Sequence, residues 1–475
     1  MSSQPPQHAF SRYSLRARPG GWTGWHAAAV LVAFTSTLGC AEAELGCLGD
    51  SCEGDVRVAT WWFDETGRDP PFLTPLRQAL EQTTTMVLDP QGSRNKGAHM
   101  ARVRNALCDN CDTTLAPEPP FDAVLLNNGE DVLGLAACNG GGDAKLLALD
   151  DAVRPRWFDT HFRPELIETL SCGSHVYGMP IGIHRINHVV YNRQLLAEAG
   201  YPSSADGGPQ ATGPLTLSFA QLLEAAQTIR THLDASGKPA AWVFALPTEP
   251  DALSLFFIEN VMLSASGETP YRDYWAGCPG HEALFAAALA HVQALAPFFT
   301  FTSVEAVPTP LQRVIDGNAA LYVTGDWIMA DAEKHEDLVG SMPFPGTEHS
   351  WVYTADVFAL PVNGNRSKGM AWLHALSDPE RLPNYTKLKH ARPARLDVLP
   401  PDGVLDSEVN WVRSLPALRL SANVFGDLGR RLKEWASAGF GDTSALVTYA
   451  ATEYAKLVTE RASNPAAPCT GGAPP

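Results

Sequence analysis

From Val56 onward, short apolar runs alternate with longer stretches whose apolar residues recur every third or fourth position. The first pattern predicts buried strands and the second predicts helices. "DVRVATWW", "FDAVLLNN", "HVVYN" and "ALYV" read as strands, and "TPLRQALEQTT" as a helix. The clearest helix is "SFAQLLEAAQTIRTHL". There Phe219, Leu222, Leu223, Ala226 and Ile229 fall on one face, Ser218 can cap, and Gln221 can complete a capping box. Toward the C-terminus, "SKGMAWLHALS", "FGDLGRRLKEWASAG" and "TSALVTYAATEYAKLVTERA" make the chain more helical. This alternation is the signature of α/β lobes. With 475 residues the chain exceeds what one core holds, so two domains are expected.

Polar groups gather where strands end. Trp61, Trp62, Asp64 and Glu65 follow the first strand; Asn127, Asn128, Gly129 and Glu130 follow another; Gly325, Asp326 and Trp327 follow "ALYV". Ligands of open α/β sheets bind outside the carboxyl ends of strands. Side chains alternate faces along a strand, so the adjacent indoles of Trp61 and Trp62 cannot both enter one core. One can pack inward while the other lies exposed as a platform. Indoles, carboxylates and amides around one cleft suit a pyranose, which stacks on an aromatic face and offers a rim of hydroxyls.

The segment before Val56 changes the picture of where the protein works. Arg12, Arg16 and Arg18 precede an apolar run from Trp25 to Gly39 that is too short for a comfortable transmembrane helix. It reads as a secretory signal. It ends Thr37-Leu38-Gly39-Cys40, which looks like a bacterial lipoprotein cleavage site with Cys40 as the lipidated residue. Residues 40–55 read as a tether and 464–475 as a tail. Export alters the meaning of the other eight cysteines, which become candidates for disulfides; Cys108 and Cys111 read as a local pair rather than a zinc site. Composition is that of a globular protein, with 45% hydrophobic and 18% charged residues. A net charge of −17 argues against nucleic acid or an anionic membrane surface as ligand and fits a neutral or cationic small molecule.

"GIHRINHVVYN" places His184, Arg185, Asn187 and His188 together. No acid adjoins them in sequence to orient an imidazole, so cleft or hinge contacts are expected there rather than catalysis or a metal. HExxH, GxSxG, P-loop and dinucleotide fingerprints are absent from the sequence, so no cofactor, metal or catalytic residue is expected. Asp64, Glu65, Asp326 and Asp356 leave open a glycosidase acid/base pair, which depends on the carboxylate separation.

The order and spacing of these segments resemble the extracellular solute-binding proteins of bacterial ABC sugar importers, the family of maltose- and glucose-binding proteins. "SHVYGMPIGIHRINHVVYNRQLLAEAGYP", "VIDGNAALYVTGDWIMA" and "PFPGTEHSWVYTADVFALPVNGN" resemble the family's three crossover segments, and "HARPARLDV" its late loop near the cleft. The resemblance implies the type II periplasmic-binding-protein fold, with two α/β lobes joined by crossover strands and a ligand cleft between them. It implies an N-terminal lobe of residues 56–183 plus 325–356 and a C-terminal lobe of 184–324 plus 357–463. It implies ligand contacts from Trp61, Trp62, Glu65, Asn127, Asn128, His184, Arg185, Asp326, Trp327, Asp356 and Lys389. It further implies a monomeric receptor that closes on a mono- or small oligosaccharide and delivers it to an ABC permease, anchored through Cys40. Phe256 and Phe257 stand where the glucose branch has Trp. A secreted carbohydrate-active hydrolase, or a receptor of the same fold for a non-sugar solute, is the rival reading.

Overall fold

The computed structural model describes residues 56–60, 86–88, 96–107, 120–136, 143–150, 156–201, 218–247, 257–302, 309–400, 411–413 and 424–463. Its strands are, in chain order, β1 Val56–Ala59, β2 Met86–Leu88, β3 Ala123–Asn127, β4 Ser171–Cys172, β5 His175–Val176, β6 Met179–Arg185 and β7 His188–Asn192. They continue with β8 Trp242–Pro247, β9 Phe299–Thr302, β10 Ala319–Thr324, β11 Val339–Pro343, β12 Trp351–Ala359, β13 Arg392–Pro393 and β14 Trp411–Arg413. β4 and β5 form a small hairpin.

Two sheets hold the rest. The first runs β13-β6-β12-β3-β1-β2, with β14 beside β12; the second runs β11-β7-β10-β8-β9. In the first, β1 lies parallel to β2 and β3, whereas β12 is antiparallel to both β3 and β6. In the second, β7 is antiparallel to β10 and β11, and β8 is parallel to β9 and β10. Strands β6, β7 and β10 are near-continuous apolar runs because they are buried almost end to end.

Each sheet has its own core. Val58, Leu125, Ile181, Val357 and Phe358 pack around the first. Val189, Leu246, Leu289 and Val323 pack around the second, on which the helix Phe219–Ala235 lays the face expected of it. That helix starts where its capping box puts it: the Ser218 N–H donates to Gln221 Oε1 at 2.9 Å.

The cores divide the chain after residue 324 differently from the segments 325–356 and 357–463. β11 belongs to the second sheet. β12 runs without interruption from Trp351 to Ala359 in the first, so the chain does not change lobes at Asp356. The helices Arg366–Ser377 and Leu382–Lys389 then bury Met370, Trp372, Leu373, Leu376, Leu382 and Tyr385 in the first core. The C-terminal helices Val424–Ser437 and Ser444–Ser463 return to the second, through Leu428, Leu432, Trp435, Leu446 and Tyr454.

The chain passes between the sheets at 186–187, from β6 to β7, and at 344–350, from β11 to β12. Asn187, fully buried, joins these two passages. Its amide nitrogen donates to Thr347 Oγ1 at 2.8 Å and the Ser350 carbonyl at 2.9 Å, and its amide oxygen accepts from the Val352 N–H at 3.0 Å. Arg185 adds a bond from Nη2 to the same Ser350 carbonyl, at 2.9 Å.

Candidate functional site

The polar residues at the passages converge. β6 stays apolar through Ile183 and then presents His184 as it leaves the sheet. Thr354 of β12 lies opposite His184, and Asp356 lies opposite Gly182. Residues two apart share a face, so Asp356 and His184 project to the same side. Gly182 leaves room there: a Cβ at that position would stand 3.1 Å from Ala391 Cβ and 3.5 Å from the Tyr385 ring. Tyr385 and Lys389, four residues apart on one helix, therefore reach the same carboxylate.

Asp326 arrives from the other sheet, just beyond β10. Gly325 before it is required by packing, since a Cβ there would lie 2.0 Å from the Trp327 ring, which folds back over the turn. Trp327 in turn meets His184 edge-on, with ring centres 5.5 Å apart.

At the centre, His184 Nδ1 is 2.7 Å from Asp326 Oδ1 and Nε2 is 3.0 Å from Asp356 Oδ2. Asp326 Oδ2 also accepts the Arg185 backbone N–H at 2.8 Å. Asp356 Oδ2 further accepts from Lys389 Nζ and, at 3.4 Å, from the Tyr385 hydroxyl. His184, Asp356 and Lys389 are all buried. Burial alone pushes the His184 ring down, but the two carboxylates outweigh it and the net direction is up. Burial alone would raise Asp356, yet Lys389 and His184 hold it at about 2. Burial lowers Lys389 to about 8 despite the attraction of Asp356. Burial, with Arg185 and His390 nearby, lowers His188 to about 3, so that ring is neutral.

Of the residues expected in the site, the structure thus joins His184, Arg185, Asp326, Trp327, Asp356 and Lys389. Asn127 lies across from Asp356 on β3 and is half-buried. Asn128 turns into the fold instead: fully buried, it donates to Thr169 Oγ1 at 3.2 Å and accepts from the Ala355 N–H at 2.7 Å. Trp61, Trp62, Glu65 and Cys40 lie outside the described residues.

Two expectations change. Acids do orient the His184 imidazole, but they come from 142 and 172 residues away in sequence. The carboxylates of Asp326 and Asp356 are also already bonded to protein groups, rather than standing open as primary ligand acceptors. With both ring nitrogens engaged, His184 has no free nitrogen to act as a general base.

Sequence reading grouped Asn187 with the expected hinge or cleft contacts without showing its partners, and it missed Tyr385 beside Lys389 and an aromatic stack. In that stack Arg185 and Arg392 lie on Trp351, each 5.2 Å from its centre, Trp351 contacts Trp411 at 5.7 Å, and Arg163 covers Trp411 at 4.4 Å. The i,i+4 spacing of Tyr385 and Lys389 was a usable signal. The pairing of β12 with β14, which brings Trp351 opposite Trp411, had none.

A family model of bacterial extracellular solute-binding proteins matches residues 149–409, which is more than half of the chain. The xylose/arabinose-binding protein XacG of Haloferax volcanii is 26% identical over 256 residues, 51% of each chain, so the match spans about half the length of that relative. The GacH receptor of Streptomyces glaucescens, solved unliganded and with acarbose, superposes with a TM-score of 0.61 at 16% identity, covering 86% of this chain and 99% of GacH. UgpB of Mycobacterium tuberculosis, solved with glycerophosphocholine, gives 0.61 at 14% identity over 87% of this chain and 100% of its own. These likenesses show the fold, the type II periplasmic-binding-protein architecture.

Proposed function

Because this chain belongs to the bacterial extracellular solute-binding proteins, we propose that it is an exported receptor for a mono- or small oligosaccharide. Its solute is handed to an ABC permease after the two lobes close. The observation that carries this reading is the convergence at the passages: a polar floor built from both sheets, with Trp327 of the second sheet's side standing against it. Such a floor sits where two bodies hinge, and hinge closure around a ligand is how such bodies sequester one. The xylose/arabinose-binding relative and the acarbose-bound neighbour support a carbohydrate as the solute.

Trp61, Trp62, Glu65, Asn127 and Trp327 supply the solute's stacking and hydrogen-bonding surface in this reading, while His184, Arg185, Asp326, Asp356 and Lys389 form the floor beneath it. The lobe that carries Asn128 holds β3 rigid for Asn127. Anchoring through a lipid on Cys40 places the receptor at the cell envelope. In this reading Cys172 and Cys278 each take part in a disulfide, which goes with an oxidising compartment. Binding without covalent chemistry fits a His184 whose nitrogens are both occupied.

The test is tryptophan fluorescence with a thermal-shift readout on the purified mature protein. The panel contains D-xylose, L-arabinose, D-glucose, maltose, maltotriose and glycerophosphocholine. A saturable response to a sugar recovered intact is expected. A response to glycerophosphocholine alone would replace the sugar with a polar non-sugar solute, and consumption of a sugar would replace the receptor with a hydrolase.

A further inference from the structure

A neutral imidazole has one N–H and one lone pair. His184 faces a carboxylate oxygen through each ring nitrogen, at 2.7 and 3.0 Å. A neutral ring would set its lone pair against one of these anions. The proton does not reside on Asp356, which Lys389 and Tyr385 also serve as donors and which is held far below the usual carboxylate range. With both carboxylates ionised, the geometry calls for an imidazolium, which donates to each. The groups facing it are Asp326 from beyond β10, Asp356 on β12, Lys389 and Tyr385 from the helix Leu382–Lys389, and Arg185 next to it on β6, itself within the field of Asp326 and Glu348. Loss of the ring proton removes the positive charge that stands between the carboxylates of Asp326 and Asp356.

The position of the ring gives that proton a mechanical meaning. Asp356 belongs to the first sheet and Asp326 to the segment that leaves the second. The ring is the side-chain link between them, and the Arg185 backbone N–H is the other bond from β6 to Asp326. We infer that His184 is a positioning residue for solute capture: its imidazolium clamps Asp326 to Asp356 across the hinge, sets the angle from which the lobes close, and makes solute affinity depend on the protonation of this one ring. The inference rests on the reading of the chain as a closing receptor.

The experiment has two arms. The first needs no solute. Full-length mature protein carrying 13C-labelled histidine is titrated by NMR from pH 5 to 9, and the unliganded inter-lobe distance is followed over the same range with a spin-label pair, one label on each lobe. The imidazolium form of His184 at pH 7, and a distance distribution that changes as the ring titrates, are expected. A ring that is neutral at pH 7, or a distribution indifferent to its titration, overturns the inference. The second arm measures the dissociation constants of D-xylose and maltose over the same pH range for the wild type and His184→Gln. Loss of one charge-assisted bond predicts about tenfold weaker binding across the ring's titration in the wild type. The profile of His184→Gln is expected to lack that step. Lys389 also titrates near 8, but it is present in both proteins, so a step shared by both belongs to Lys389 and counts against His184. If neither sugar binds at any pH, the sugar-receptor reading fails for these solutes while the first arm still decides the clamp. If His184→Gln does not fold, the wild-type titration alone decides it.

Discussion

Asp356→Asn removes one charge from a buried carboxylate that accepts from three side chains, while keeping its shape. The residue is 4% exposed and its carboxylate accepts from His184, Lys389 and Tyr385. Its fall from 3.8 to about 2 corresponds to about 2 kcal/mol of preference for the ionised form in the folded state. Removing one member of a buried ion pair adds the cost of the cation left behind, and such losses run to about 3–5 kcal/mol. Asp356→Asn is therefore expected to lose about 3–5 kcal/mol at pH 7 in urea unfolding, read at constant m-value. Lys389→Met is expected to cost less, because Asp356 keeps His184 and Tyr385. The double variant should be more stable than the sum of the two single losses predicts, since it buries neither charge alone.

The acid limb follows with its sign. The folded-state value of Asp356 lies below the unfolded one, so the unfolded chain binds more protons between them. This stabilisation is present above about pH 4 and fades as pH falls toward 2, and the Asn variant should lack that share of the slope. A loss below about 1 kcal/mol for Asp356→Asn, or strict additivity in the cycle, would refute the account of a mutually dependent buried network.

Two further outcomes follow from the same geometry. Asn187→Leu keeps the branched shape but strips the bonds that tie the 186–187 passage to 344–350, and should cost about 1–3 kcal/mol in thermal or urea unfolding, chiefly through the Val352 N–H left unpaired, since the Ser350 carbonyl keeps Arg185. Gly325→Ala drives a methyl into the Trp327 ring; the ring must move, so sugar affinity measured by fluorescence should fall by roughly tenfold or more with a smaller change in melting temperature. Affinity equal to that of the wild type would remove Trp327 from the solute's surface.

The parts of this site that were legible in sequence are those fixed by local pattern. An apolar run that stops abruptly at His184-Arg185, and another that stops at Gly325-Asp326-Trp327, mark strand ends whatever the rest of the chain does. What such ends touch is not local. His184 finds its two acids only because β6 lies next to β12 and because the turn after β10, on the second sheet's side, brings Asp326 to it. The same limit explains the lobe boundary. The family resemblance implies a crossing point at Asp356 within "WVYTADVFALP", whereas the residues on both sides of it are buried and the strand continues through Ala359. Asn128 reads like its neighbour Asn127 in composition, yet alternation turns one inward to staple β3 to β12 and leaves the other half-buried.

The order in which the sheets are strung along the chain has a kinetic side. The first sheet draws strands from Val56 to Arg413, and the second core, begun at Ile186, still requires Leu446 and Tyr454 of the last helix. Neither body can finish ahead of synthesis, because each lacks a packed face until the chain is nearly whole. Pairings this distant in sequence form slowly. The same lateness means that a chain cut short before Ser444 would leave the apolar face of the second body bare and prone to association.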